Sequence, residues 1–127
     1  MADIRPYMQD EAARGFFARL ETGAFQSTYC PACDLLTYPP RIVCPTCLSP
    51  ELEWKDLPRR GELLAFTWQE QAIRCAKPDV VGVVRLEGVG NLFTRIDADF
   101  EELEVGQEVV YGGTFESHDG LVLHQFR

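Results

Sequence analysis

Four of the five cysteines in the chain fall in two Cys-x-x-Cys turns, Cys30-Pro31-Ala32-Cys33 and Cys44-Pro45-Thr46-Cys47. Such a turn directs two thiolates from one knuckle of backbone, and two knuckles facing each other supply the four ligands of a closed tetrahedral metal site. With every position taken by protein there is no open place for water or substrate. The spacing therefore predicts a structural zinc, one per chain, rather than a catalytic one. Iron fits the same four-thiolate geometry, and spacing alone does not separate the two metals.

Other chemistry is sparse. Cys75 is the one cysteine outside this set, and its neighbours Arg74 and Lys77 would lower its pKa towards a reactive thiolate. A nucleophile also needs a base, and the two histidines, His118 and His124, are both remote from Cys75 in sequence. An ordinary loop or half-buried thiol is the expectation for Cys75. His118 is expected to serve a turn and His124 a strand face. Glu101, Glu102 and Glu104 form the kind of run that marks a hydrated surface. No Ser-His-Asp pattern, phosphate-cradling glycine loop or catalytic metal motif occurs. The net charge of −8 argues against a nucleic-acid backbone as the main partner. Four thiolates around one divalent ion would add about two further negative charges. No apolar run approaches membrane-spanning length and no signal-peptide core follows residues 1–6, so the expectation is a cytoplasmic protein with reduced thiols.

The elements that must position these residues follow from periodicity. At 127 residues and 46% hydrophobic content, the chain can build one ordinary domain, or two small lobes if metal holds one of them. Residues 9–22 read as a helix, with Ala12, Ala13, Phe16, Phe17 and Leu20 near one face, Asp10 as N-cap and Gly23 as stop. Its single apolar face predicts packing on its own domain, with docking to a partner as the alternative. Short strands at 25–29 and 35–38 flank the first knuckle, and Pro39-Pro40 ends the second of them. A ribbon this small cannot bury enough apolar surface alone, so metal binding must supply much of its folding free energy.

Residues 49–60 read as a polar connector carrying Trp54, with a boundary near Gly61. Beyond it the period becomes two. Leu64, Phe66 and Trp68 alternate with Leu63, Ala65 and Thr67, 69–78 reads as a loop, and strands are expected at 80–86 and 92–98 around a tight turn at 88–91. Gly82, in a valine-rich strand, marks a bulge, a barrel corner or a close backbone contact. After an acidic turn at 99–106, residues 109–115 and 121–126 read as a final hairpin. Five successive strands predict a small closed barrel of the OB type. The expected architecture is mainly β: a helical segment over 1–24, a zinc ribbon and connector over 25–60, and a five-stranded OB-fold barrel over 61–127.

Several short motifs follow one another in a specific order. They are Phe16-Phe17 and Leu20 before Gly23, the paired knuckles with Pro39-Pro40-Arg41 between them, Ser49, Leu52-Glu53-Trp54, Gly61, Phe66-Thr67, Leu86-Glu87-Gly88, Val105-Gly106 and Val109. Over nearly the whole chain this resembles the acyl-CoA-associated proteins that join a rubredoxin-like zinc ribbon to an OB fold, the family called domain of unknown function thirty-five. Asp34 departs from the pattern, standing where many relatives have glycine, a change expected to alter the knuckle turn without touching the ligands.

The resemblance implies a non-catalytic, zinc-containing accessory subunit of a thiolase-like acyl-CoA enzyme complex, scaffolding the catalytic subunit and helping to shape or bind the acyl-CoA site. A partner of an acyl-CoA aldolase or hydratase in aromatic or steroid side-chain degradation is the alternative. Catalysis would belong to the partner in a hetero-oligomer. A coenzyme A thioester, if bound directly, wants cations for its phosphates and an aromatic shelf for its adenine. Arg41, Arg59, Arg60, Arg74 and Lys77 near Phe66 and Trp68 are the candidates, against the alternative of solubilising loop charges. Tyr7, Phe16, Phe17 and Trp54 are the candidate partner anchors. Two further classes compete: a single-strand nucleic-acid-binding OB module, disfavoured by the acid excess, and a self-sufficient acyl-CoA enzyme using Cys75.

Overall fold

The computed structural model describes residues 10–70, 79–117 and 120–127. They form two compact units, one ending at Leu57 and the other beginning at Pro58.

In the first unit, Asp10 caps helix α1 (Glu11–Glu21) by accepting the Ala12 N–H at 3.1 Å. Ala12, Phe16 and Leu20, spaced by four, are its buried stripe. The helix stops because Gly23 adopts φ 91°, letting the Gly23 and Ala24 amides bond back to Leu20 and Arg19. A three-stranded antiparallel sheet follows, ordered β2-β1-β3, from β1 (Gln26–Cys30), β2 (Leu35–Leu36) and β3 (Glu53–Asp56).

β3 lies inside the stretch read as connector, and pairs along β1 from Gln26↔Asp56 to Tyr29↔Glu53. Glu53, Lys55 and Asp56 are exposed, so the strand has no buried face to leave a period of two. β2 is shorter than expected: beyond it a backbone bond, from the Thr37 N–H to the Thr28 carbonyl at 3.0 Å, is joined by side-chain bonds. Buried Ser27 donates to the Thr37 carbonyl, and the Thr28 hydroxyl lies 3.1 Å from that of Thr37 and accepts the Arg41 N–H at 2.9 Å. The helix packs within its own unit, as its single apolar face implied. A β-carbon on Gly15 would lie 2.8 Å from Trp54, and the Arg19 guanidinium sits 3.9 Å over that indole.

The second unit is a closed barrel, ordered β4-β5-β6-β8-β7: β4 (Arg60–Gln69), β5 (Asp79–Leu86), β6 (Gly90–Ile96), β7 (Glu108–Glu116) and β8 (Val122–Phe126). All pairs are antiparallel except β6 with β8, which is parallel. Val80, Val84 and Leu86 of β5, Leu92 and Ile96 of β6, and Val109 and Phe126 are buried and fill the interior.

β4 departs from strict alternation. Its ladder steps from Leu63↔Val84 to Ala65↔Val83, leaving Leu64 as the extra residue of a bulge. Leu63 before the bulge and Phe66 after it consequently face the same side, opposite the buried Val84 and Gly82, and Leu63 is fully enclosed. Gly82 answers this curvature: a β-carbon there would lie 2.8 Å from the Ala65 carbonyl oxygen and 3.1 Å from Leu63 Cδ1. Of its three expected roles, close backbone approach is the one observed. Among the described residues no helix is long and apolar enough to cross a membrane.

Candidate functional site

The two knuckles converge. The four sulfurs of Cys30, Cys33, Cys44 and Cys47 lie within 4.8 Å of one another, with Cys30 and Cys47 3.7 Å apart. A tetrahedron with zinc–sulfur bonds of about 2.3 Å has edges of about 3.8 Å, so the donor set and its size fit a zinc ion. β1 delivers Cys30 at its end, where it pairs with Leu35. The second knuckle is closed by the Cys44 N–H on the Ser49 carbonyl and the Leu48 N–H on the Cys44 carbonyl, each at 2.9 Å.

In both knuckles the residue after the second cysteine is left-handed, Asp34 at φ 51° and Leu48 at φ 63°. This is the physical reason a glycine suits position 34. Aspartate is among the few other residues that tolerate it, and the Asp34 carboxylate also accepts the Tyr29 hydroxyl at 2.6 Å. The knuckle turn therefore survives the substitution.

In the absence of a cation the four sulfurs would hold their protons unequally. The Cys47 and Thr46 amides direct their N–H groups at Cys44 and hold it down at about 6. Its neighbour Cys33, hydrogen-bonded to Cys47 and desolvated, is pushed up to about 12. Cys30 is pulled down by the Cys33 amide, but burial and the contacts with Cys47 and Cys44 leave it raised. Four thiolates this close are mutually unfavourable until a divalent cation ionises them together.

Within the second unit, the described residues considered for coenzyme A do not form one site. Arg60 opens β4, with Arg59 just before it, and Trp68 is near its end, separated by roughly 25 Å of strand. Arg60 pairs with Glu108 at 3.0 Å, and the Arg59 guanidinium sits 5.0 Å over the Tyr111 ring. Phe66 packs edge-on against Phe100, with centroids 5.4 Å apart, and Trp68 borders a depression shared with Asp99, Phe100, Glu101 and Glu102. Its aromatic shelf thus faces carboxylates, which repel phosphate. Arg41 is exposed in the first unit. Tyr7, Arg74, Cys75, Lys77 and His118 lie outside the described residues.

Of the candidate anchors, Phe16 is 2% exposed and belongs to the core, because it falls on the stripe with Ala12 and Leu20. Phe17 is half-buried and edge-on to Phe16 at 5.2 Å, and Trp54 is half-buried beneath Arg19. His124 lies on a strand face as expected, the buried face of β8, its Nδ1 2.8 Å from the Thr94 hydroxyl. The feature that sequence reasoning missed is Phe100. An aromatic residue directly before two glutamates was the available signal.

Two family models match the chain: the rubredoxin-like zinc ribbon domain of ChsH2 over residues 27–53, and the C-terminal OB-fold domain of ChsH2 over residues 54–111. Among solved structures, the chain is similar to one described as "Ltp2-ChsH2(DUF35) aldolase", at 23% identity and TM-score 0.79, covering 93% of this chain and 94% of that one. It is also similar to a protein of unknown function from the DUF35 family of Sulfolobus solfataricus, at 17% identity and TM-score 0.58, covering 81% and 78%. At these identities the likeness is one of fold. No curated protein sequence matches the chain.

Proposed function

The chain belongs to the DUF35 family, its ribbon and barrel each matching the corresponding domain of ChsH2, and from this we propose that it is a zinc-containing partner subunit of an acyl-CoA enzyme. In this reading it scaffolds a separate catalytic subunit and does not turn over substrate alone. Cys30, Cys33, Cys44 and Cys47 hold one zinc ion that is closed to substrate, and the ion contributes folding free energy to the ribbon rather than acting as a Lewis acid.

The observation that carries the reading is the unbroken succession of the two ChsH2 domains from residue 27 to residue 111. The catalytic partner is read as thiolase-like. A second reading, an acyl-CoA aldolase partner, is favoured by the likeness to the structure described as an Ltp2-ChsH2(DUF35) aldolase.

The test is to purify the tagged chain from its native host, identify co-purifying proteins by mass spectrometry and measure metal in the same sample. A stoichiometric acyl-CoA enzyme with one zinc per chain is expected, and its identity separates the two readings. A chain that purifies alone, or with nucleic acid, would overturn the proposal.

A further inference from the structure

One end of the barrel combines exposed aromatic surface with carboxylates that form no ion pair among the described residues. Trp68, near the end of β4, is 49% exposed, and Phe100, in the 3-10 turn Phe100–Glu102, is 42% exposed. Together with Thr67, Asp99, Glu101 and Glu102 they line one shallow depression. A second depression shares Trp68, Asp99, Phe100 and Glu102 and continues to Asp79 and Arg95. The aromatic floor is fixed from below, since Phe66 meets Phe100 edge-on and is itself held in the ladder opposite Gly82.

The charges divide in an informative way. Arg95 lies 2.7 Å from Asp79 and 3.6 Å from Asp97, so those two carboxylates share one guanidinium. Asp99, Glu101 and Glu102 are exposed and form no ion pair among the described residues. An aromatic face attracts a cation electrostatically, and carboxylates beside it accept the paired N–H groups of a guanidinium. Arginine suits the combination better than lysine, because its planar group is weakly hydrated, stacks on rings and bonds carboxylates at two points.

We propose that this acid-rimmed aromatic depression docks an arginine-bearing segment of the catalytic partner subunit. The inference rests on the partner-subunit reading above and adds to it the surface used and the chemistry that recognises it. A second copy of this chain is a poor occupant, because a two-fold contact through the patch would set its carboxylates against their own equivalents. Nucleic acid is excluded by the same charges.

The experiment uses the acyl-CoA enzyme subunit that co-purifies with the wild-type chain, prepared separately and titrated calorimetrically with the zinc-loaded chain at low and high salt. Trp68→Ala and the pair Glu101→Lys with Glu102→Lys are each expected to weaken binding at least about tenfold. The wild-type affinity should fall as salt rises, and the charge-reversed pair should lose that dependence. Both glutamates are exposed, so their reversal reads the interface without depending on the barrel's packing. Phe93→Ser, at a residue 65% exposed on β6 that lines neither depression, should stay within about twofold. The proposal is overturned if Trp68→Ala and the reversed pair both bind within twofold of wild type, or if Phe93→Ser loses as much as they do. Self-association of the wild-type chain that the charge reversal abolishes would assign the patch to a second copy and overturn it equally. A wild-type chain with no enzyme partner removes both this proposal and the partner-subunit reading, whereas variants that keep the partner at full affinity remove this one alone.

Discussion

His124 projects into the barrel beside Thr94, and desolvation there lowers its pKa to about 4. The unfolded chain protonates the same ring near 6.5, so between these values the unfolded state binds more protons. Its contribution to stability is therefore complete above about pH 6.5, declines as the pH falls, and is gone near pH 4. A difference of that size corresponds to about 3 kcal/mol. The ring resonances of His124 are expected to stay at their neutral positions down to about pH 4. His124→Gln should flatten the fall in urea stability between pH 6.5 and 4, and a ring titrating near 6.5 would contradict the enclosed placement. The inward parity of position 124 could be read from its spacing to Phe126. Its partner could not, because Thr94 lies 30 residues away across the parallel pairing of β6 with β8. The cysteines were legible for the opposite reason: each Cys-x-x-Cys pair is complete within one turn of chain, and thiolate chemistry prescribes how two such turns must meet. Asp34 was legible as an oddity and intelligible only from its φ of 51°.

Strands β4 and β5 are crowded where Gly82 pairs with Phe66, two residues beyond the Leu64 bulge. Adding one methyl group at Gly82 would press on the Ala65 carbonyl at 2.8 Å, and backbone cannot rotate aside as a side-chain tip can. Gly82→Ala should cost about 1–3 kcal/mol, measured as a lower urea midpoint with an unchanged slope. An unaltered midpoint would mean that the two strands sit in a different register. Both the presence and the period of β5 and β6 were readable because one face of each is buried and the other is not. The bulge was hidden: Leu63, Leu64 and Phe66 are all apolar, so the pattern is compatible with either phase once a residue is inserted. β3 was hidden because a strand exposed on most of its residues is held by its ladder with β1 alone, and a ladder leaves no mark in composition.

The molecule consists of two units with different sources of stability. The barrel closes on its own buried side chains, whereas the first unit has a small core of Ala12, Phe16, Leu20, Phe25 and Leu57 alongside the buried sulfurs of Cys30 and Cys44. Structural zinc contributes on the order of 10–16 kcal/mol to such ribbons, more than a core of that size. Stripping the metal with a chelator should abolish hydrogen-exchange protection in β1 and α1 while the amides of β4 to β8 keep theirs. Simultaneous loss in both units, or in neither, would refute this division. The order of strands also sets how the chain matures during synthesis. Both neighbours of β1 lie before Leu57, so once that residue has emerged the ribbon can pair and bind its metal while the barrel is incomplete. β4 must wait for β7 and β6 for β8, so the growing barrel carries two unpaired edges until its last strand appears. An assembling partner would meet a finished ribbon first, and a barrel surface around Trp68 only once β8 has followed.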